Sequence, residues 1–269
     1  MRATLPARFT SMPSVMTLLW GVSIMANAVV AWRLYQLDLH RIYRVFFAYL
    51  AFAAARSVTL FVLPSGLRSS TYAIIYFLTA PILWLFYITV VLELYSLVLR
   101  NYAGIHSLGR WTLYGALFFS VAISVLTLIP SAGNESSQLM FWCTTVERGV
   151  VFSLVIFLFL ILLFLAIYPV HLCRNILVHS VVYTVFFLGI SMMILIRNVV
   201  GHDVMHVLNT VVLVMNVTCY AVWIFFLTRE GENRITTLRH DWRPADELRL
   251  IEQLNHINAT LMRAKEHHL

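Results

Sequence analysis

Lysine is almost absent from this chain: Lys265, near the C-terminus, is the only one in 269 residues. A retinal Schiff base needs a lysine inside a helical bundle, so microbial-rhodopsin chemistry is excluded. Charge of either sign is scarce, at 12% of residues, about half the usual share of a soluble domain. Hydrophobic residues make up 61%, more apolar surface than one soluble core could hide. Lipid must therefore be the solvent for most of the chain. The three cysteines, Cys143, Cys173 and Cys219, lie in different segments without CxxC spacing. That excludes an intrachain disulfide framework and a cysteine zinc site. No HExxH, GxSxG, P-loop or Rossmann fingerprint occurs, so the common catalytic signatures are missing. The third apolar run ends Leu99-Arg100-Asn101-Tyr102 and the seventh holds no Asn-Pro-x-x-Tyr, so the common eukaryotic receptor motifs are missing too. No internal repeat suggests a transporter built from two halves.

What is present is a series of apolar runs. A bilayer core of about 30 Å needs about 20 helical residues to cross it. Seven runs satisfy this, near Met12–Trp32, Tyr43–Leu63, Tyr72–Leu99, Arg110–Ile129, Gly149–Val170, Ile176–Val200 and Val204–Leu227. The expected fold is an all-α integral membrane protein, a bundle of seven transmembrane helices over residues 1–227. Arg2, Arg8 and Ala26-Asn27-Ala28 resemble a signal peptide, but the apolar run continues to Trp32, and a retained first helix is expected. The connections carry breakers such as Pro64-Ser65-Gly66 and Pro130-Ser131, and the longest is expected from Ser131 to Glu147.

The net charge of +7 lies outside the tail. From Thr228 onward seven basic residues face seven acidic ones, so the excess sits in short loops and helix ends. That is a topology signal rather than a nucleic-acid footprint. Loop arginines are nearly balanced across the membrane, and the basic residues and polar length of the tail place the C-terminus inside and the N-terminus outside. The expected location is a bacterial inner membrane, with lipids as partners and no nucleic acid.

Residues 228–243 read as a polar linker, followed over 244–269 by a cytoplasmic amphipathic helix. Pro244 suits a first helical turn, and Asp246 and Glu247 favour the positive end of the helix dipole. Leu250, Leu254, Ile257 and Leu261 recur at spacings of four, three and four, a narrow stripe for a partner, a second copy or the chain's own bundle.

Charges inside a membrane are costly and mark function or a buried pair. Arg56 and Glu93 stand at different depths and are not expected to pair. Arg56 is expected to meet Glu147 or Asp203; Glu93 is expected to meet Arg44, Arg100 or His179. An aromatic stripe of Tyr76, Trp84, Tyr87 and Tyr95 crosses the third run, with Thr89 and Glu93 on the adjacent face. Arg56, Trp84, Tyr87, Thr89 and Glu93 form the expected polar bundle site, either a ligand pocket or ordinary packing. Glu147, Arg148 and Asp203 form an expected cluster at the outer face. His202 and His206, in an HDxxH sequence, share a helix face, yet two histidines alone are a weak metal signal. No pair of histidines faces across mid-membrane as a bis-histidine haem requires. Haem and metal are disfavoured and the cofactor is unknown.

In topology this arrangement is similar to the seven-helix sensor regions of bacterial signalling proteins, a likeness that by itself establishes no function. A stand-alone sensor or receptor-like protein, signalling through its tail helix to a partner, is the leading expectation. A non-catalytic accessory subunit of a larger membrane complex is the rival. An intramembrane enzyme or transporter is third.

Overall fold

A computed structural model of the protein describes residues 12–62, 70–99, 111, 114, 115, 118, 135–167, 172–200, 205–233, 235–236 and 244–266. Nearly all of them are helical. The long helices are α1 (Met12–Gln36), α2 (Arg44–Val62), α3 (Ser70–Val98), α4 (Glu135–Ile167), α5 (Arg174–Val200) and α6 (Met205–Phe226). A short helix, α7 (Arg229–Asn233), and the tail helix, α8 (Pro244–Glu266), follow. Each of α1 to α6 is long and apolar enough to cross a membrane. A helix satisfies every backbone polar group internally, so it suits a segment with no water to bond. This is a helical integral membrane protein. Most of the fourth expected span, Arg110–Ile129, lies outside the described residues; within it Trp111, Tyr114, Gly115 and Phe118 are helical.

One boundary departs strongly from expectation. Helix α4 begins at Glu135, inside the connection expected to run from Ser131 to Glu147. No glycine or proline interrupts residues 135–148, so nothing local stops the helix from extending beyond the apolar run. A second departure is a two-residue antiparallel pairing, β1 (Leu172–Cys173) with β2 (Ile235–Thr236), in register Leu172 to Thr236 and Cys173 to Ile235.

Helix α1 packs between α2 and α6, α5 packs on α4 and α6, and α3 bridges α2 and α4. Helix α1 shows how the sequence orients. Val15, Leu18, Val22, Met25, Val29 and Trp32 are exposed at alternating spacings of three and four, while Asn27, Val30 and Leu34 are buried. An outward apolar stripe of that kind faces hydrocarbon, and the opposite face, with Asn27 among its apolar residues, packs on neighbouring helices. Gly189 of α5 lies so close to Met215 of α6 that any side chain there would collide with the thioether.

Candidate functional site

Two polar constellations occupy opposite ends of the bundle. Toward the end remote from the tail, residues of α2 to α6 line a half-open cavity of about 310 Å³. Arg56 of α2 and Glu147 of α4 bring opposite charges to it, and Asn209 and Asn216 of α6 bring amides. Tyr76, Trp84 and Tyr87 of α3 supply aromatic walls. Arg56 is positioned from two sides. Its Nε donates to Thr79 Oγ1 at 2.8 Å, and its guanidinium carbon lies 5.2 Å from the centre of the Tyr76 ring. Thr79 can accept that bond because its own hydroxyl donates back to the Ile75 carbonyl. Asn216 Oδ1 is buried and has no hydrogen-bond partner among the described residues. Aromatic walls with a few convergent polar groups are the make-up of a small-molecule site, and the volume falls at the lower end of such pockets.

Of the expected polar bundle site, Arg56, Trp84 and Tyr87 come together here, and Glu147 joins them from the expected outer-face cluster. Thr89 and Glu93 do not. Thr89 turns back on its own helix and donates to the Leu85 carbonyl at 2.8 Å. Glu93 accepts from the backbone N–H groups of Val45 at 2.9 Å and Phe46 at 3.0 Å. It therefore caps the start of α2, whose first N–H groups have no partner within the helix. Arg148, beside Glu147, is half-buried on α4. Asp203 and His202 lie outside the described residues, and His206 is helical in α6. No group of three or more metal-ligating side chains occurs among the described residues.

The second constellation lies where the tail leaves the bundle. Thr228 starts α7 by accepting the Gly231 N–H on its hydroxyl at 3.1 Å. Asn175, fully buried at the start of α5, grips this turn. Its Nδ2 donates to the Thr228 carbonyl at 2.8 Å and to Glu232 at 3.0 Å. Its Oδ1 accepts from the Thr228 N–H at 3.4 Å. From the other side the Tyr43 hydroxyl donates to Glu232 at 3.0 Å. Burial first, and the Glu232 charge second, push the Tyr43 phenol up from its ordinary range, so it stays protonated and keeps donating. The same two causes push the Cys173 thiol up, which holds it in its unreactive form. Of the partners expected for Glu93, Arg44 is met, through its backbone N–H and its charge. Arg100 lies outside the described residues, and His179 is buried elsewhere, its ring 4.5 Å from that of Tyr43 and 4.9 Å from that of Phe46.

Within residues 228–243, the expected polar linker, those described form a helical turn and a strand tied to two bundle connections. Sequence reasoning missed Tyr43, Asn175 and Glu232 because each is a single polar residue with no periodic partner. The tail helix also differs in its buried face. Leu254 is 1% exposed and belongs to the bundle core, whereas Ile257 is 41% exposed. Leu250 and Ile251 are half-buried beside Leu254, so the inward face is rotated away from Ile257. The side chain of Leu261 lies outside the described residues.

A direct check compares Leu254→Asp with Ile257→Asp. Full burial of a leucine contributes about 1.5–3 kcal/mol, so Leu254→Asp is expected to speed limited proteolysis of the tail by at least about tenfold. Ile257→Asp is expected to leave the rate near that of the wild type. Equal rates for the two variants would remove Leu254 as the docking residue.

No protein-family profile, curated protein or solved structure matches this chain.

Proposed function

We propose that the protein is a stand-alone sensor or receptor-like protein, with seven transmembrane helices in a bacterial inner membrane. Its bundle binds a small ligand, and its tail passes the signal to a partner. The observation that carries this reading is the cavity that brings Arg56, Glu147, two asparagine amides and aromatic rings together among five helices. An accessory subunit has no need of converging polar groups around such a space, because intramembrane charges are costly to maintain. The latch of Tyr43, Asn175 and Glu232 supports the second half of the reading, since it couples the start of the tail to two bundle connections.

The deciding experiment is native mass spectrometry of the full chain in mild detergent. The wild type is expected to carry a small molecule that is released on denaturation. Arg56→Leu is expected to lower its occupancy by about tenfold or more, the effect of losing about 1.4 kcal/mol of binding. A wild type without any adduct, together with an Arg56→Leu variant that is unchanged in assembly and stability, would rule the reading out.

The topology has its own test. Single cysteines replacing Glu135 and Thr237, in a chain stripped of its native cysteines, are expected to label from opposite sides. The first should react from outside, and the second only after the membrane is opened. Labelling of both from one side would contradict the seven-span arrangement.

A further inference from the structure

Among the described residues, the cavity walled by α2 to α6 carries one guanidinium, Arg56, and one carboxylate, Glu147, whose formal charges cancel. A dianion such as free phosphate would find a single cation beside a carboxylate, and a lone cation would find Arg56 opposing it. A wholly apolar guest would strip water from Arg56, Asn209 and Asn216 and give nothing in return. Among the described residues no histidine or cysteine lines the space, so that donor set does not suit a transition metal.

The hydrogen-bonding groups narrow the choice. The Thr79 contact occupies the Nε of Arg56, one of five N–H donors of a guanidinium. The planar fork of the terminal nitrogens matches an anionic oxygen pair. The amides of Asn209 and Asn216 add polar edges to the wall. Glu147 has other interactions of its own, but a carboxylate offers about four acceptor positions. One donor fork, one acceptor carboxylate and an aromatic wall therefore line the same space.

We propose that this cavity takes a small zwitterion on an apolar or aromatic body. Its anionic group sits on Arg56, its ammonium on Glu147, and its body on Trp84 and Tyr87. The proposal rests on the reading of the bundle as a ligand-binding sensor. Two sources share this chemistry: a free amino acid with a large side chain, and the headgroup of a zwitterionic phospholipid entering from the bilayer.

The test uses the full chain in detergent with three probes built on one ring: L-tryptophan, indole-3-propionate and tryptamine. They carry both charges, the acid alone and the amine alone. Tryptophan is expected to bind at least tenfold more tightly than either of the others. Arg56→Gln is expected to erase its advantage over tryptamine, and Glu147→Gln its advantage over indole-3-propionate. If the lipid is the source, nanodiscs of phosphatidylethanolamine should raise the unfolding temperature above that in phosphatidylglycerol. The rise should then vanish in both variants while tryptophan fails to bind. Equal binding of all three probes, or a co-purifying guest that carries only one of the two charges, overturns the zwitterion and leaves the sensor reading intact. A folded wild type with no guest and no response to any probe or lipid overturns both.

Discussion

Replacing Glu93 by leucine is expected to destabilise the bundle strongly. The carboxylate accepts from Val45 and Phe46 at 2.9 and 3.0 Å. A hydrogen bond to a charged group contributes about 1.5–3 kcal/mol, and the two N–H groups have no partner inside α2. Leucine removes both bonds and leaves both donors at a bundle interface where water cannot easily replace the acceptor. The expected loss is about 3–5 kcal/mol, in the range that follows from stranding buried polar groups. Glu93→Gln keeps one acceptor oxygen and should lose roughly half as much. Denaturant titration of the purified protein measures both. A Glu93→Leu variant within about 0.5 kcal/mol of the wild type, the range of an ordinary surface change, would mean that the cap contributes nothing.

The second large effect is expected at the latch. Asn175→Ala deletes two donors and one acceptor that hold Thr228 and Glu232. It leaves those groups unsatisfied, at a cost of about 2–4 kcal/mol. The opening equilibrium of residues 228–236 should rise roughly 30- to 700-fold, since each 1.4 kcal/mol is a factor of ten. Gly231→Ala tests the same contact from the opposite side. A Cβ there would collide with Asn175 Oδ1 and lie 3.0 Å from its Cγ. Asn175 cannot swing aside without losing its bonds to Thr228 and Glu232. Glu230 is exposed on the next position of the same turn, so Glu230→Gln is the control and should leave the opening unchanged. Hydrogen exchange of the tail reads all three variants. If Asn175→Ala and Gly231→Ala exchange like the control, the tail is not held by this contact.

The two constellations were unequally legible in the sequence. Arg56, Trp84, Tyr87 and Glu147 stood out one by one, as charges in apolar runs and aromatics at helical spacing. Their grouping was also expected, Arg56 with Trp84 and Tyr87 in one site and with Glu147 as a partner. That Asn209 and Asn216 join them while Thr89 and Glu93 do not was not legible, because it depends on how whole helices are rotated against one another. Glu93 stood out for the same reason as Arg56, yet its partners are backbone N–H groups, which no side-chain pattern reveals. The latch was invisible. Asn175 and Glu232 are 57 positions apart, Tyr43 and Glu232 are 189 apart, and neither spacing has a helical period.

The sequence by itself determined that the chain lives in lipid, that its long elements are helices and roughly where six of them run. Those properties follow from local hydropathy and length, because a bilayer core accepts only segments that satisfy their own backbone. It also determined that a helix begins at Pro244. Only the tertiary structure decided that Leu254, rather than Ile257, turns inward, that Glu93 serves a helix end, and that the start of the tail is pinned to the bundle. These are contacts between distant segments, and each is set by the packing of whole helices, which fixes which face of each residue's turn meets a neighbour.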